Sequence, residues 1–91
     1  MNIAIYGRQG RRNNVRVGVF QIDPEDEALA LAHRWYLGGR QRRYVVTRTP
    51  RGATLLLHRL LLEAQAGQRV VHRNGNQLDN RRENLVLREW P

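Results

Sequence analysis

The segment from His58 to Leu85 constrains the fold of this 91-residue chain most strongly. It starts with an apolar run that contains no Gly or Pro until Gly67 and then continues as a β-branched run that ends at His72. A loop rich in Asn, Gly and Asp follows, and Asn84 stands directly before a second apolar run. This order predicts a short helix, a strand, a long turn-rich loop and a second strand.

Two strands joined by a basic loop are predicted at the start of the chain. Residues 3–6 indicate a short first strand, and residues 15–21 alternate as a second one. The loop at residues 7–14 has Gly and Asn where a hairpin turn needs them. We therefore expect a β-hairpin here, and a later pair of strands at residues 43–48 and 53–57.

A helix is predicted after this hairpin. Asp23 is a suitable N-cap, Pro24 suits the first helical turn, and the acidic residues that follow face the positive end of the helix dipole. The pair at residues 38–39, both Gly, ends the predicted helix. The apolar face that we expect to pack on the sheet comprises Ala28, Leu31, Ala32 and Trp35.

Arginine dominates the charged residues. The chain has 16 basic residues, all of them Arg, against 8 acidic ones, which gives a formal net charge of +8. Acidic side chains crowd into residues 23–27, whereas the arginines cluster in predicted loops and at strand ends. This segregation predicts a basic face that suits a phosphate backbone. The candidate nucleic-acid-binding residues are Arg8, Arg11, Arg12, Arg16, Arg42, Arg43, Arg48, Arg81 and Arg82.

One predicted strand offers a surface that can read a base sequence. Side chains alternate along residues 43–48, so Arg43, Val45 and Thr47 share one face. A sheet face of this kind can be laid in the major groove of DNA, where arginine hydrogen-bonds to guanine.

The composition also excludes several classes of protein. The chain has no cysteine, which rules out a disulfide framework and a thiolate zinc site. No apolar run approaches membrane-spanning length, and the first residues lack the apolar core of a signal peptide. We therefore expect a cytoplasmic protein that has no membrane partner.

The stretch at residues 72–85, HRNGNQLDNRRENL, resembles the HNH (His-Me finger) endonucleases, especially the small phage and homing-type enzymes. The lead-in of phage HNH proteins related to APETALA-type DNA-binding domains is similar to four upstream segments: IDPED at 22–26, WY at 35–36, YVV at 44–46 and HRL at 58–60.

This resemblance implies an α+β fold in one compact domain. A basic, β-rich, APETALA-like lead-in at residues 1–57 forms a small antiparallel sheet with one packed helix. A degenerate ββα finger at residues 58–91 follows and lacks the final helix. The cytoplasm would be that of a bacterial or phage-infected cell.

The resemblance also assigns roles to two residues. His72 falls at the position of the general base that activates the attacking water. Asn84 falls at the position of the residue that braces the loop and so orients the histidine. We interpret His58 as structural, with a hydrogen bond to the loop, and His33 as a favourable charge near a helix C-terminus or a partly buried side chain.

The metal half of the family's site is not matched. The family carries an Asp or His ligand directly before the catalytic histidine, and here that residue is Val71, which has no lone pair to offer a hard cation. The second ligand lies on a helix after the second strand, for which no residues remain after Pro91. Asp79, the nearest carboxylate in the loop, either substitutes as a ligand, or makes turn hydrogen bonds with Asn80, or pairs with Arg81 or Arg82.

The leading hypothesis is a DNA-binding protein derived from an HNH endonuclease, without nuclease activity and without a cofactor. Its partner would be double-stranded DNA, with a homodimer and a phage or host protein partner left open. One alternative is a nicking endonuclease that uses Mg²⁺ or Mn²⁺. Another is a phage regulator that binds a host nucleic-acid enzyme.

Overall fold

The computed structural model describes residues 1–7, 15–38, 41 and 43–89. Seven strands, two short helices and two 3₁₀ turns are present in these ranges. In chain order they are β1 (Asn2–Tyr6), β2 (Arg16–Gln21), a 3₁₀ turn (Pro24–Asp26), α1 (Glu27–Leu31), β3 (Tyr36–Gly38), β4 (Tyr44–Arg48), β5 (Thr54–Leu56), α2 (Leu57–Leu61), β6 (Gln68–His72), a 3₁₀ turn (Arg82–Asn84) and β7 (Leu85–Glu89). The predicted α+β class is therefore confirmed.

The strands pair antiparallel in three groups: β1 with β2, β3 with β4 and β5, and β6 with β7. A parallel bridge between Ile5 and Trp35 joins the first two groups, and the Tyr6 N–H donates to the Trp35 carbonyl at 2.9 Å. A second parallel bridge, between Gln21 and Asp79, attaches the loop after β6 to the edge of β2. These two bridges hold the three groups of strands together.

The core forms where the first two groups of strands meet α1, α2 and the start of β7. Phe20 and Trp35 lie at its centre with their rings edge to face, 5.9 Å between centroids. The buried apolar cluster comprises Ile5, Phe20, Ile22, Ala30, Trp35, Val45, Leu57, Leu61 and Leu85. Since its members come from both halves of the chain, the finger and the lead-in share one core.

The first helix is much shorter than the sequence predicts. It ends at Leu31, and the residues expected to complete it form β3 instead. The Trp35 indole N–H donates to the Ala30 carbonyl at 2.7 Å, and a continuing helix would offer that carbonyl to the N–H of residue 34. Of the predicted apolar face only Trp35 is buried, whereas Ala28, Leu31 and Ala32 are exposed, and Leu31 is 66% exposed.

The face proposed to read DNA from the third predicted strand is also wrong. β4 is the middle strand of its group, and both Val45 and Thr47 are buried. The Thr47 hydroxyl donates to the Arg34 carbonyl at 2.8 Å, which turns this side chain into the protein. Of the three residues on the predicted face, only Arg43 is exposed.

The second helix is shorter than predicted for a similarly local reason. It ends at Leu61, and Glu63 adopts a positive φ of 51°, a left-handed conformation that stops a helix. No helix in the described ranges is both long and apolar enough to span a lipid bilayer.

Candidate functional site

The histidine at the end of β6 points into the protein. His72 is buried, and its Nε2 lies 2.9 Å from the Asn80 Oδ1. Its ring packs against the His58 ring at 5.1 Å between centroids, and His58 in turn lies 5.4 Å from the Tyr44 ring. The site is therefore a row of three rings, two of them buried histidines, that ends in an amide, rather than a histidine presented to solvent.

The burial of this row determines the charge of its middle member. Desolvation lowers the pKa of His58 from 6.5 to about 4, and the nearby His72 and Arg59 side chains act in the same direction. His58 is consequently neutral at pH 7. It fills space between α2, β4 and β6, in keeping with a structural role.

Asn84 lies at the base of the loop that connects β6 to β7. Its Oδ1 accepts from the Asn74 N–H at 3.1 Å, and its Nδ2 donates to the Asn74 Oδ1 at 3.0 Å and to the Asp79 carbonyl at 2.8 Å. The loop turns at Gly75, whose φ of 74° suits a residue without a Cβ. One buried amide thus joins both ends of the loop.

The carboxylate of Asp79 is occupied by donors from the same loop. Its Oδ1 accepts from the Arg81 Nε at 2.8 Å, and its Oδ2 accepts from the Arg81 Nη2 at 2.9 Å and the Asn74 Nδ2 at 3.0 Å. The Arg81 guanidinium lowers the pKa of this buried carboxyl to about 2. The predicted pairing of Asp79 with Arg81 is confirmed, and both oxygens that a metal would need already have donors.

Three carboxylates near the first 3₁₀ turn come close enough to suggest a cation site. Oxygens of Asp23, Glu25 and Asp26 lie within 4.8 Å of one another. The cation beside them is Arg82, which donates to Asp26 from Nε at 3.0 Å and from Nη2 at 2.8 Å. Its backbone N–H donates to the Asp23 Oδ2 at 2.9 Å, so Asp23 binds the second 3₁₀ turn and makes no side-chain cap on the first.

The position before His72 offers no metal ligand. Val71 pairs with Val86 across the hairpin and has no donor atom. Strand alternation puts its side chain on the face opposite His72, the buried imidazole. The Asp79 carboxylate is bound by the Arg81 guanidinium, and Asp26 in the acidic cluster is bound by that of Arg82.

The structure divides the predicted DNA-contacting arginines into three groups. Arg8, Arg11, Arg12 and Arg42 lie outside the described residues. Arg81 and Arg82 are bound to carboxylates of the chain itself. The exposed remainder comprises Arg16 at the start of β2, Arg43 before β4 and Arg48 at the end of β4.

Arg48 lines an open cleft of about 590 Å³ together with His33 and Tyr36. The His33 side chain is exposed, beyond the end of α1, and its ring meets Trp35 edge to face at 5.6 Å.

Three exposed arginines that were not among the predicted contacts lie on or beside the β6–β7 hairpin. Arg69 and Arg88 lie opposite each other on β6 and β7, and Arg73 follows the end of β6. The alternation of Arg69, Val71 and Arg73 along one strand face was the available signal. Comparisons of the chain with protein-family models, with curated proteins and with solved structures found no match.

Proposed function

We propose that this chain binds double-stranded DNA through arginine contacts to the phosphate backbone and that it does not cut DNA. One observation carries the proposal. Two of the 16 arginines, Arg81 and Arg82, gather five of the 8 acidic residues around them. The other arginines therefore hold a large excess of positive charge, which an external polyanion can neutralise.

The distribution of this excess favours a phosphate backbone over a small anion. Arg16 is exposed at the start of β2, and Arg43 and Arg48 are exposed at the two ends of β4, so their charges cover a surface rather than a pocket. Arginine binds phosphate oxygens in a bidentate manner, which suits repeated contacts along a duplex. Such contacts give affinity and orientation without reading the sequence.

An origin from an HNH endonuclease is part of the proposal. The order of a strand that ends in His72, a long loop, a 3₁₀ turn that ends in Asn84 and a second strand supports it. The hydrogen bonds of Asn84 across the loop support the bracing role that the resemblance implies.

The proposed loss of nuclease activity rests on the surroundings of His72. A general base must reach the proton that it removes. The His72 ring is buried against His58, and one of its nitrogens lies at hydrogen-bond distance from Asn80. Because Val71 has no donor atom and the Asp79 carboxylate is already bound by Arg81, we propose no Mg²⁺ or Mn²⁺ cofactor beside His72, and a cytoplasmic location beside the DNA.

The test is fluorescence anisotropy with a labelled random duplex over a salt series. The logarithm of affinity should fall with the logarithm of salt concentration by about 0.9 for each neutralised phosphate. Replacing Arg11 and Arg12 together should flatten this slope by about 1.8, if both contact phosphates. Polyglutamate serves as a control polyanion. Weak binding at low salt, or affinity that does not depend on salt, would remove DNA as the partner and favour a protein-binding regulator.

A further inference from the structure

The hairpin formed by β6 and β7 has one face that consists of arginine and valine. In its register Arg69 lies opposite Arg88, and Val71 lies opposite Val86. Cross-strand partners point to the same side of a sheet. These four residues therefore form a single surface, called the outer face here. Both arginines are exposed, and both valines are half-buried.

The opposite face fixes the orientation of the hairpin. His72 and Leu85 are buried on that side, and Val70 packs against the core. The Arg59 guanidinium also donates to the Gln68 carbonyl at 2.6 Å, which ties the start of β6 to α2. The hairpin is thus held by its inner face, and the outer face is directed away from the core.

The outer face carries positive charge with no carboxylate among its four residues. Arg69 and Arg88 place two positive charges directly opposite each other on this face. The Arg73 N–H donates to the Asn84 carbonyl at 2.8 Å, which extends the ladder by one residue beyond the strand end. This concentration of positive charge suits an anionic partner.

We propose that the outer face of the β6–β7 hairpin lies in the major groove of duplex DNA. The proposal rests on the DNA binding proposed above and names the surface responsible. A two-stranded ribbon fits this groove, which is about 12 Å wide. At about 3.3 Å per residue, four steps along β6 separate Arg69 from Arg73 by about 13 Å.

The chemistry of the outer face matches the contents of that groove. Arg69 and Arg88 at one end, and Arg73 beyond the other end, can reach phosphates or the guanine O6 and N7 acceptors. Val71 and Val86 between them meet the methyl group of thymine, an apolar contact that the minor groove does not offer. Duplex RNA is excluded as the preferred partner, because its major groove is too deep and narrow for side chains to read.

A pair of charge-matched variants gives the first test. Arg73→Ala, beside the outer face, and Arg51→Ala, in the turn between β4 and β5, each remove one exposed guanidinium. On the random duplex, Arg73→Ala should flatten the salt slope by about 0.9, whereas Arg51→Ala should leave the slope unchanged.

The combined replacement of Arg69, Arg73 and Arg88 by Ala should flatten the slope by about 2.7. The melting temperature of the triple variant is measured alongside, so that a loss of binding caused by unfolding is recognised. A triple variant that binds DNA with the wild-type slope would overturn the assignment of the surface while leaving the proposed function intact. Failure of the wild-type protein to bind any duplex would remove both.

A test on the wild-type protein keeps the groove assignment independent of folding. Replacing thymine by uracil in the duplex removes the methyl groups, and affinity should fall about fourfold for each methyl that the protein shields from water. The double variant with Val71→Ala and Val86→Ala should lose this preference. Equal affinity for thymine and uracil duplexes, or equal affinity for duplex RNA of the same sequence, would overturn the proposal.

Discussion

Arg82 donates two hydrogen bonds from its guanidinium to the buried carboxylate of Asp26, which lies 56 positions earlier in the chain. The pair joins the 3₁₀ turn before β7 to the 3₁₀ turn before α1. A finger that resembles a nuclease motif is in this way attached to the lead-in through an ion pair that faces the protein.

Removing Arg82 should therefore destabilise the whole chain rather than weaken DNA binding alone. Arg82→Ala leaves the Asp26 carboxylate buried without its partner. We expect a loss of about 2 kcal/mol in the free energy of unfolding, reduced from the full cost of a broken buried pair because Arg82 is partly exposed. Urea denaturation measures it, with Arg51→Ala as the exposed control. Equal stability of the two variants would show that the pair contributes nothing.

Asn84→Ala should loosen the loop between β6 and β7. The substitution removes the buried amide that binds both the Asn74 N–H and the Asp79 carbonyl. The expected cost is about 1–3 kcal/mol of unfolding free energy, seen as a lower melting temperature. Asn2→Ala, at an exposed position of β1, is the matched control. An unchanged melting temperature would contradict the bracing role of the amide.

Acid should destabilise the fold through His58. Because its pKa is about 4 in the folded chain and 6.5 when unfolded, the unfolded chain binds the additional proton between these values. Stability is full above pH 6.5 and is lost as the pH falls towards 4, by up to about 3 kcal/mol. Denaturation midpoints at pH 7, 5.5 and 4 measure this. His58→Gln should reduce the loss and His33→Gln should not; the same pH dependence in all three proteins would refute it.

Plasmid DNA should remain uncut in the presence of Mg²⁺ or Mn²⁺. His72 is buried, and Val71 provides no ligand atom. The measurement is conversion of supercoiled to nicked circles, with His72→Ala as the comparison. Nicking by the wild type that His72→Ala abolishes would establish a nuclease. Val71→Asp adds one carboxylate on the strand face opposite His72, so we expect no turnover from it.

The sequence predicted the strands better than the helices, for a physical reason. Alternation and turn residues are local signals, and they predicted the pairs β1–β2 and β4–β5 correctly. The end of α1 is set by the hydrogen bond from the Trp35 indole to the Ala30 carbonyl, and helical periodicity does not predict such a side-chain bond. The left-handed conformation of Glu63 ends α2 early, and the sequence pattern did not predict this either.

The site was predicted in its residues more than in its surroundings. The position of Asn84 directly before β7 indicated an amide at the base of the loop. The burial of His72 could not be foreseen, because its ring packs on His58 of α2, which in turn packs on Tyr44 of β4. Charge clusters assigned Arg81 and Arg82 to DNA, but the carboxylate that binds Arg82 is distant in sequence, and only the opposite signs of the two segments hinted at it.

The bridge between Gln21 and the loop has a consequence for self-association. β2 is an edge strand, and edge strands recruit other chains through unpaired backbone groups. At Gln21 both groups are used, because its N–H donates to the Leu78 carbonyl at 2.7 Å and its carbonyl accepts from the Asn80 N–H at 2.8 Å. The loop between β6 and β7 thus covers one end of this sheet edge. Loosening it would give aggregation a place to start.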